Sequence, residues 1–117
     1  MNVQIFQGQP VVLLTSASSR AIISPAKGAQ LLSWTQDDWT VVAWPDNANW
    51  QHWVHGGNQV LFPFIARTYA HGQIGHWIDA AGVQRPASMH GFAKDLPFYT
   101  VDGGADWITL RQVMCDV

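Results

Sequence analysis

The run Phe98-Tyr99-Thr100-Val101-Asp102-Gly103-Gly104-Ala105-Asp106-Trp107-Ile108-Thr109-Leu110-Arg111-Gln112-Val113 decides the fold class. Phe98–Asp102 and Asp106–Val113 each read as a strand, and Gly103-Gly104-Ala105 between them supplies the turn chemistry of a hairpin. In the second strand Ile108 and Leu110, with Met114 beyond, fall on one side, and Trp107, Thr109 and Arg111 on the other. A half-buried antiparallel strand requires that alternation, because successive side chains point to opposite faces of a sheet.

Upstream the same signals recur. Val3–Gln7 and Val11–Thr15, separated by Gly8-Gln9-Pro10, predict a hairpin. Arg20–Ser24, closed by Pro25 and Lys27-Gly28, predicts a strand partnered by Ala29–Thr35, where Leu31 and Ser33 alternate with Leu32 and Trp34. Asp37-Asp38 marks a turn into Trp39–Trp44, a run of β-branched and aromatic residues ended by Pro45-Asp46-Asn47. Nothing in this part has a helical period. The expected fold is all-β, with mostly antiparallel strands.

Composition narrows the function classes. The 117 residues, 48% hydrophobic and only 12% charged, suit one small globular domain. A net charge of -2 with six Lys and Arg residues, none clustered, offers no footprint for nucleic acid or an anionic membrane surface. No apolar run reaches the length of a membrane span, and Met1-Asn2-Val3-Gln4 lacks the basic start of a signal peptide, so a cytoplasmic location is expected. The single cysteine, Cys115, has no internal disulfide partner, which agrees with a reducing compartment. A small neutral ligand is the partner class that remains.

Seven tryptophans are many for this length, and all eight acidic residues are aspartates. An indole can stack on the C–H face of a sugar, but it serves equally as filler in a core or on a sheet surface, and that packing role is the expectation for most of them. His52 and His55 in the irregular stretch Asn47–Asn58, and His71 and His76 beside Gly72 and Gly75, lack the cysteine or carboxylate company of a zinc site. Neither a metal nor any other cofactor is expected.

Two further segments concentrate chemistry. Val60-Leu61-Phe62 enters Pro63, which ends or edges a strand, so Arg67 falls just beyond it, where loops carry binding groups on a rigid support. In the second segment, Met89-His90-Gly91-Phe92-Ala93-Lys94-Asp95-Leu96-Pro97-Phe98, Gly91 permits a backbone that presents the His90 imidazole at a fixed angle. The Gly-rich part from His71 to Val83, with Gln73–Asp79 and Val83–Arg85 flanking the turn Ala80-Ala81-Gly82, reads as an excursion that brings the two segments side by side. That arrangement places Arg67 near His90. A fork of guanidinium donors and an imidazole that both gives and accepts suit a polyhydroxylated ligand.

Phe62-Pro63-Phe64-Ile65-Ala66-Arg67 and His90-Gly91-Phe92-Ala93-Lys94-Asp95-Leu96-Pro97-Phe98, in that order and after a strand pair like Ile22–Thr35, resemble the aldose 1-epimerase (galactose mutarotase-like) family. The resemblance covers roughly Ile22 to Leu110. It implies that residues 1–117 form a single incomplete domain, the N-terminal part of a large β-sandwich (supersandwich), with an unpaired sheet edge open to self-association. It implies an aldohexose as ligand, with Arg67 binding substrate and His90 as an accessory catalytic, substrate-positioning group. Members of this family interconvert the α and β anomers of an aldose. An acid protonates the ring oxygen, a base takes the anomeric hydroxyl proton, and the opened ring recloses as the other anomer. In the family a second histidine and a later glutamate perform these transfers. This chain stops before either region and contains no glutamate, so by itself it is expected to bind rather than catalyse. A non-catalytic carbohydrate-binding β-module or truncated remnant is the alternative. A relative of the hexose-6-phosphate 1-epimerases is a third reading, with Arg85 as the extra cation.

Overall fold

The computed structural model describes residues 1–45, 57–62, 67–87 and 90–114. The protein is all-β. Five consecutive strands, β1 (Asn2–Phe6), β2 (Gln9–Ser16), β3 (Ser19–Ser24), β4 (Gln30–Gln36) and β5 (Trp39–Val42), form an antiparallel meander in chain order. Three two-stranded ribbons follow: β6 (Tyr69–Ala70) with β7 (Gln73–Ile74), β8 (His76–Ile78) with β9 (Gln84–Pro86), and β10 (Tyr99–Gly103) with β11 (Ile108–Arg111). Between the last two ribbons lies one 3-10 turn, Ala93–Asp95.

The first hairpin turns more tightly than its Gly8-Gln9-Pro10 spacing suggests. Phe6 pairs with Gln9, leaving only Gln7 and Gly8 as the turn, with φ of 47° and 79°. Two left-handed residues match the right-handed twist of the strands they join. Pro10 therefore sits inside β2 opposite Ile5. Ladder bonds alternate outward from the closing pair, so Pro10 falls at a position that donates nothing to β1, and β3 begins pairing only at Val12.

Val11, Val12 and Leu13 on β2 are all buried, which explains why this strand reads as an apolar run instead of an alternation. Val11 packs with Leu32 and Trp44 in the core, flanked by Phe6 and Ile22. The β10–β11 ribbon is tied to β2 by the Thr15 amide, which donates to the Ala105 carbonyl at 2.7 Å. In β11 and beyond, exposure alternates residue by residue from Ile108 to Met114, with Ile108, Leu110 and Met114 on the more covered side as expected.

Three expected strands are altered. Trp39–Trp44 ends at Val42, and Asn58 takes up the ladder against Leu31. Gln73–Asp79 breaks at Gly75, whose amide turns away to donate to the Thr68 carbonyl at 2.8 Å, so the excursion is two ribbons and not one hairpin. Val60-Leu61-Phe62 forms no strand. Phe62 makes a single parallel bridge to Gly91 instead.

Among the described residues, no helix is long and apolar enough to cross a membrane.

Candidate functional site

The Phe62–Gly91 bridge joins the two segments singled out from sequence. The Phe62 carbonyl accepts from the Phe92 amide at 2.8 Å and from the Ala93 amide at 3.2 Å. His90 has φ of 71° and Gly91 of 79°, so the chain passes two consecutive left-handed residues just before this bridge. A left-handed histidine is uncommon, and such conformations persist only where the surroundings hold them.

Those surroundings come from the β3–β4 turn, from Gln112 and from the β8–β9 ribbon. Gly28, at φ 59°, lies against the Lys94 backbone so closely that an added Cβ would stand 2.3 Å from the Lys94 carbonyl oxygen. The Phe98 amide donates to the Pro25 carbonyl at 2.9 Å, so the β3–β4 turn holds this piece at its middle and at its Phe98 end. The Gln112 side-chain Nε2 donates to the Ala93 and Leu96 carbonyls at 3.1 and 3.0 Å, which satisfies groups that so short a helical turn leaves open. From the ribbon side, the Trp77 and Phe92 rings meet with centroids 5.6 Å apart and planes tilted by 57°.

The ribbon that carries Trp77 is itself organised by a residue that sequence reading passed over. Asp79 is buried, and one of its carboxylate oxygens accepts from the Ala81 and Val83 amides at 3.0 and 2.9 Å. Its other oxygen takes a charge-assisted bond from the Arg85 guanidinium. The bond from Arg85 first, and then that from the Val83 amide, hold the Asp79 carboxyl below the usual carboxylate range, against the opposing effect of burial. An aspartate opening a turn that contains Gly82 is an Asx-turn signal, so the sequence carried the information.

Arg67 is exposed and His90 is half-buried. The structure brings their segments together at Phe62 and Gly91, while no hydrogen bond, ion pair or ring contact between the described residues links the Arg67 guanidinium to the His90 imidazole. Lys94 and Asp95 pair with each other at 2.5 Å. The Lys94 side chain retains only 10% of its exposure. Close by, the Lys27 ammonium stands 5.9 Å from the centre of the Trp44 ring. Burial lowers the Lys27 pKa, Asp95 opposes that shift and Lys94 adds to it.

His71 and Gly72 form the two-residue turn of the β6–β7 ribbon, and His76 starts β8, where its Nδ1 lies 3.3 Å from the Ile74 carbonyl. His52, His55 and Cys115 lie outside the described residues. No group of three or more His, Cys, Asp or Glu side chains comes together among the described residues to hold a metal. Of the described tryptophans only Trp44 is buried, its indole N–H donating to Gln7 at 3.2 Å, while Trp34, Trp39 and Trp77 lie on strand surfaces.

Compared with known proteins, the chain matches no family model, no curated protein and no solved structure.

Proposed function

We propose that this chain forms the aldohexose-positioning part of an aldose 1-epimerase-like, galactose mutarotase-like β-sandwich acting in the cytoplasm. Arg67 and His90 are its substrate-positioning groups. The observation that carries the reading is the Phe62–Gly91 bridge, which sets the Arg67 and His90 segments against one another on a braced backbone. The left-handed His90 supports it, since strained backbone of this kind collects at functional sites. In this reading the guanidinium fork donates to adjacent sugar hydroxyls, and the imidazole gives or accepts at a third.

A second reading is a carbohydrate-binding β-module that holds sugar without interconverting its anomers. The hexose-phosphate reading gains no support from Arg85, because Asp79 engages that guanidinium. Self-association belongs to either of the first two readings. The outer strands of the sheet, β1 and β5, carry exposed Val3, Ile5 and Trp39, and exposed apolar strand edges favour pairing with another chain.

Titration with D-galactose and D-glucose, followed by tryptophan fluorescence, tests the site, and polarimetry of anomer interconversion separates the two readings. Saturable quenching is expected, weakened roughly ten- to hundredfold in Arg67→Ala or His90→Ala, as loss of a hydrogen bond to a charged group implies. Unchanged affinity in both variants removes the site assignment. Binding without faster interconversion selects the module.

A further inference from the structure

The His90 segment is braced by the Phe62 carbonyl, by the β3–β4 turn and by the Gln112 side chain, and from the β8–β9 ribbon Trp77 meets its Phe92 ring. The geometry, centroids 5.6 Å apart and planes at 57°, falls within the tilted arrangement that aromatic pairs prefer. Phe92 lies beside the left-handed His90–Gly91 pair, and its own amide donates to the Phe62 carbonyl at 2.8 Å. The ribbon can act as an arm because both its ends are fixed. The Ala87 amide donates to the Gly75 carbonyl at 2.7 Å, and Asp79 locks the turn between β8 and β9.

We infer that Trp77 is a positioning residue that acts through Phe92 to hold the His90–Gly91 backbone in its ligand-competent conformation, an inference that rests on the sugar-positioning reading of His90. Trp77 need not touch sugar. Its ring meets the Phe92 ring from the β8–β9 ribbon, so removing it takes away that contact and loosens the hold on the left-handed His90 backbone.

The test compares wild type, Trp77→Ala and Trp77→Phe by hydrogen exchange and by D-galactose titration. The Phe92 and Ala93 amides both donate to Phe62, so their exchange reports the segment directly. In Trp77→Ala these two amides are expected to exchange about two- to tenfold faster, with the β2–β4 amides unaltered, and D-galactose affinity to fall by a similar factor. Trp77→Phe, which keeps an aromatic ring, restores both. Should Trp77→Ala not fold, Phe92→Leu removes the ring pair while keeping apolar volume and is read the same way. Exchange that rises evenly over the whole chain, or that stays unchanged at Phe92 and Ala93, overturns the inference and leaves Trp77 a general packing residue. If wild type binds no D-galactose, the sugar reading fails, and the local exchange of Phe92 and Ala93 still decides whether Trp77 positions the segment.

Discussion

Gly28 and Lys94 are in backbone contact, joining the turn between β3 and β4 to the 3-10 turn that follows His90. An added Cβ at Gly28 would meet the Lys94 carbonyl oxygen at 2.3 Å and its Cα at 2.5 Å, both backbone atoms that cannot swing aside. Gly28 also has φ of 59°, where any side chain adds left-handed strain of about 1–2 kcal/mol. Gly28→Ala is therefore expected to cost roughly 2–4 kcal/mol and to loosen the His90 segment along with the sheet. Urea unfolding measures the first effect and amide exchange at Phe92 the second. A variant as stable as wild type would mean that the two turns do not meet.

Leu32 is fully buried between Val11 and Trp44, with Phe6 and Ile22 against the cluster. It lies where the β3–β4 register shifts between Ile22 and Ile23, so an extra residue of β4 is pushed into the core. Leu32→Ala removes that plug. The expected loss is about 2–5 kcal/mol, the range for cavities that close poorly, and a large share of a small domain's stability. A fall of less than about 1 kcal/mol in denaturant unfolding would show that the cluster repacks.

The strands were legible wherever burial is one-sided. β11 alternates because one of its faces is more covered, and the expected hairpin forms, although Gly103 ends β10 opposite Ile108 and the turn extends over Asp106 and Trp107, which were expected in the second strand. Boundaries failed where a single residue changes partners. Pro10 looked like turn material but is tolerated inside β2 at a position that donates nothing to β1, and Gly75 looked like strand but bonds to Thr68. At the candidate site, Arg67 and His90 stood out through their segments' resemblance to a family, and the Phe62–Gly91 bridge bears out the side-by-side placement of those segments. Gly28 against Lys94, Trp77 against Phe92 and Gln112 on the Ala93 and Leu96 carbonyls join residues distant in sequence, and local pattern carries no trace of such contacts.

Ala17 opens the two-residue turn between β2 and β3, closed by Ser16 and Ser19, with φ of 43°. Alanine gains nothing there, since it has a Cβ to strain and no side-chain group to bond the turn. Ala17→Gly relieves about 1–2 kcal/mol of left-handed strain and gives back up to about 1 kcal/mol in unfolded-chain entropy. A net gain of roughly 0–2 kcal/mol is expected, without change in sugar affinity, because no hydrogen bond or ring contact between described residues joins this turn to the His90 segment. Thermal unfolding checks it, and a lower midpoint for Ala17→Gly would contradict the turn geometry.

Asp79 gives the protein an acid-sensitive joint. Its pKa is lowered by the Arg85 bond first and by the Val83 amide next, so the folded state holds the ionised carboxylate more tightly than the unfolded chain does. A group depressed in this way stabilises fully above the ordinary carboxylate value of about 3.9, and that stability is lost as pH falls through it toward the folded value. Asp79→Asn keeps an oxygen for the Ala81 and Val83 amides but sets an N–H₂ or a neutral oxygen against Arg85. The variant should therefore be less stable than wild type at pH 7, and the gap should narrow as both are taken toward pH 3. The difference between the two unfolding curves isolates Asp79 from the other aspartates, which titrate in both proteins. Asp79→Ala, which also strands the two buried amides, should fall further at pH 7 and keep a deficit at low pH. A wild-type–Asp79→Asn gap that stays constant across this range would show that the Arg85 bond adds nothing to stability.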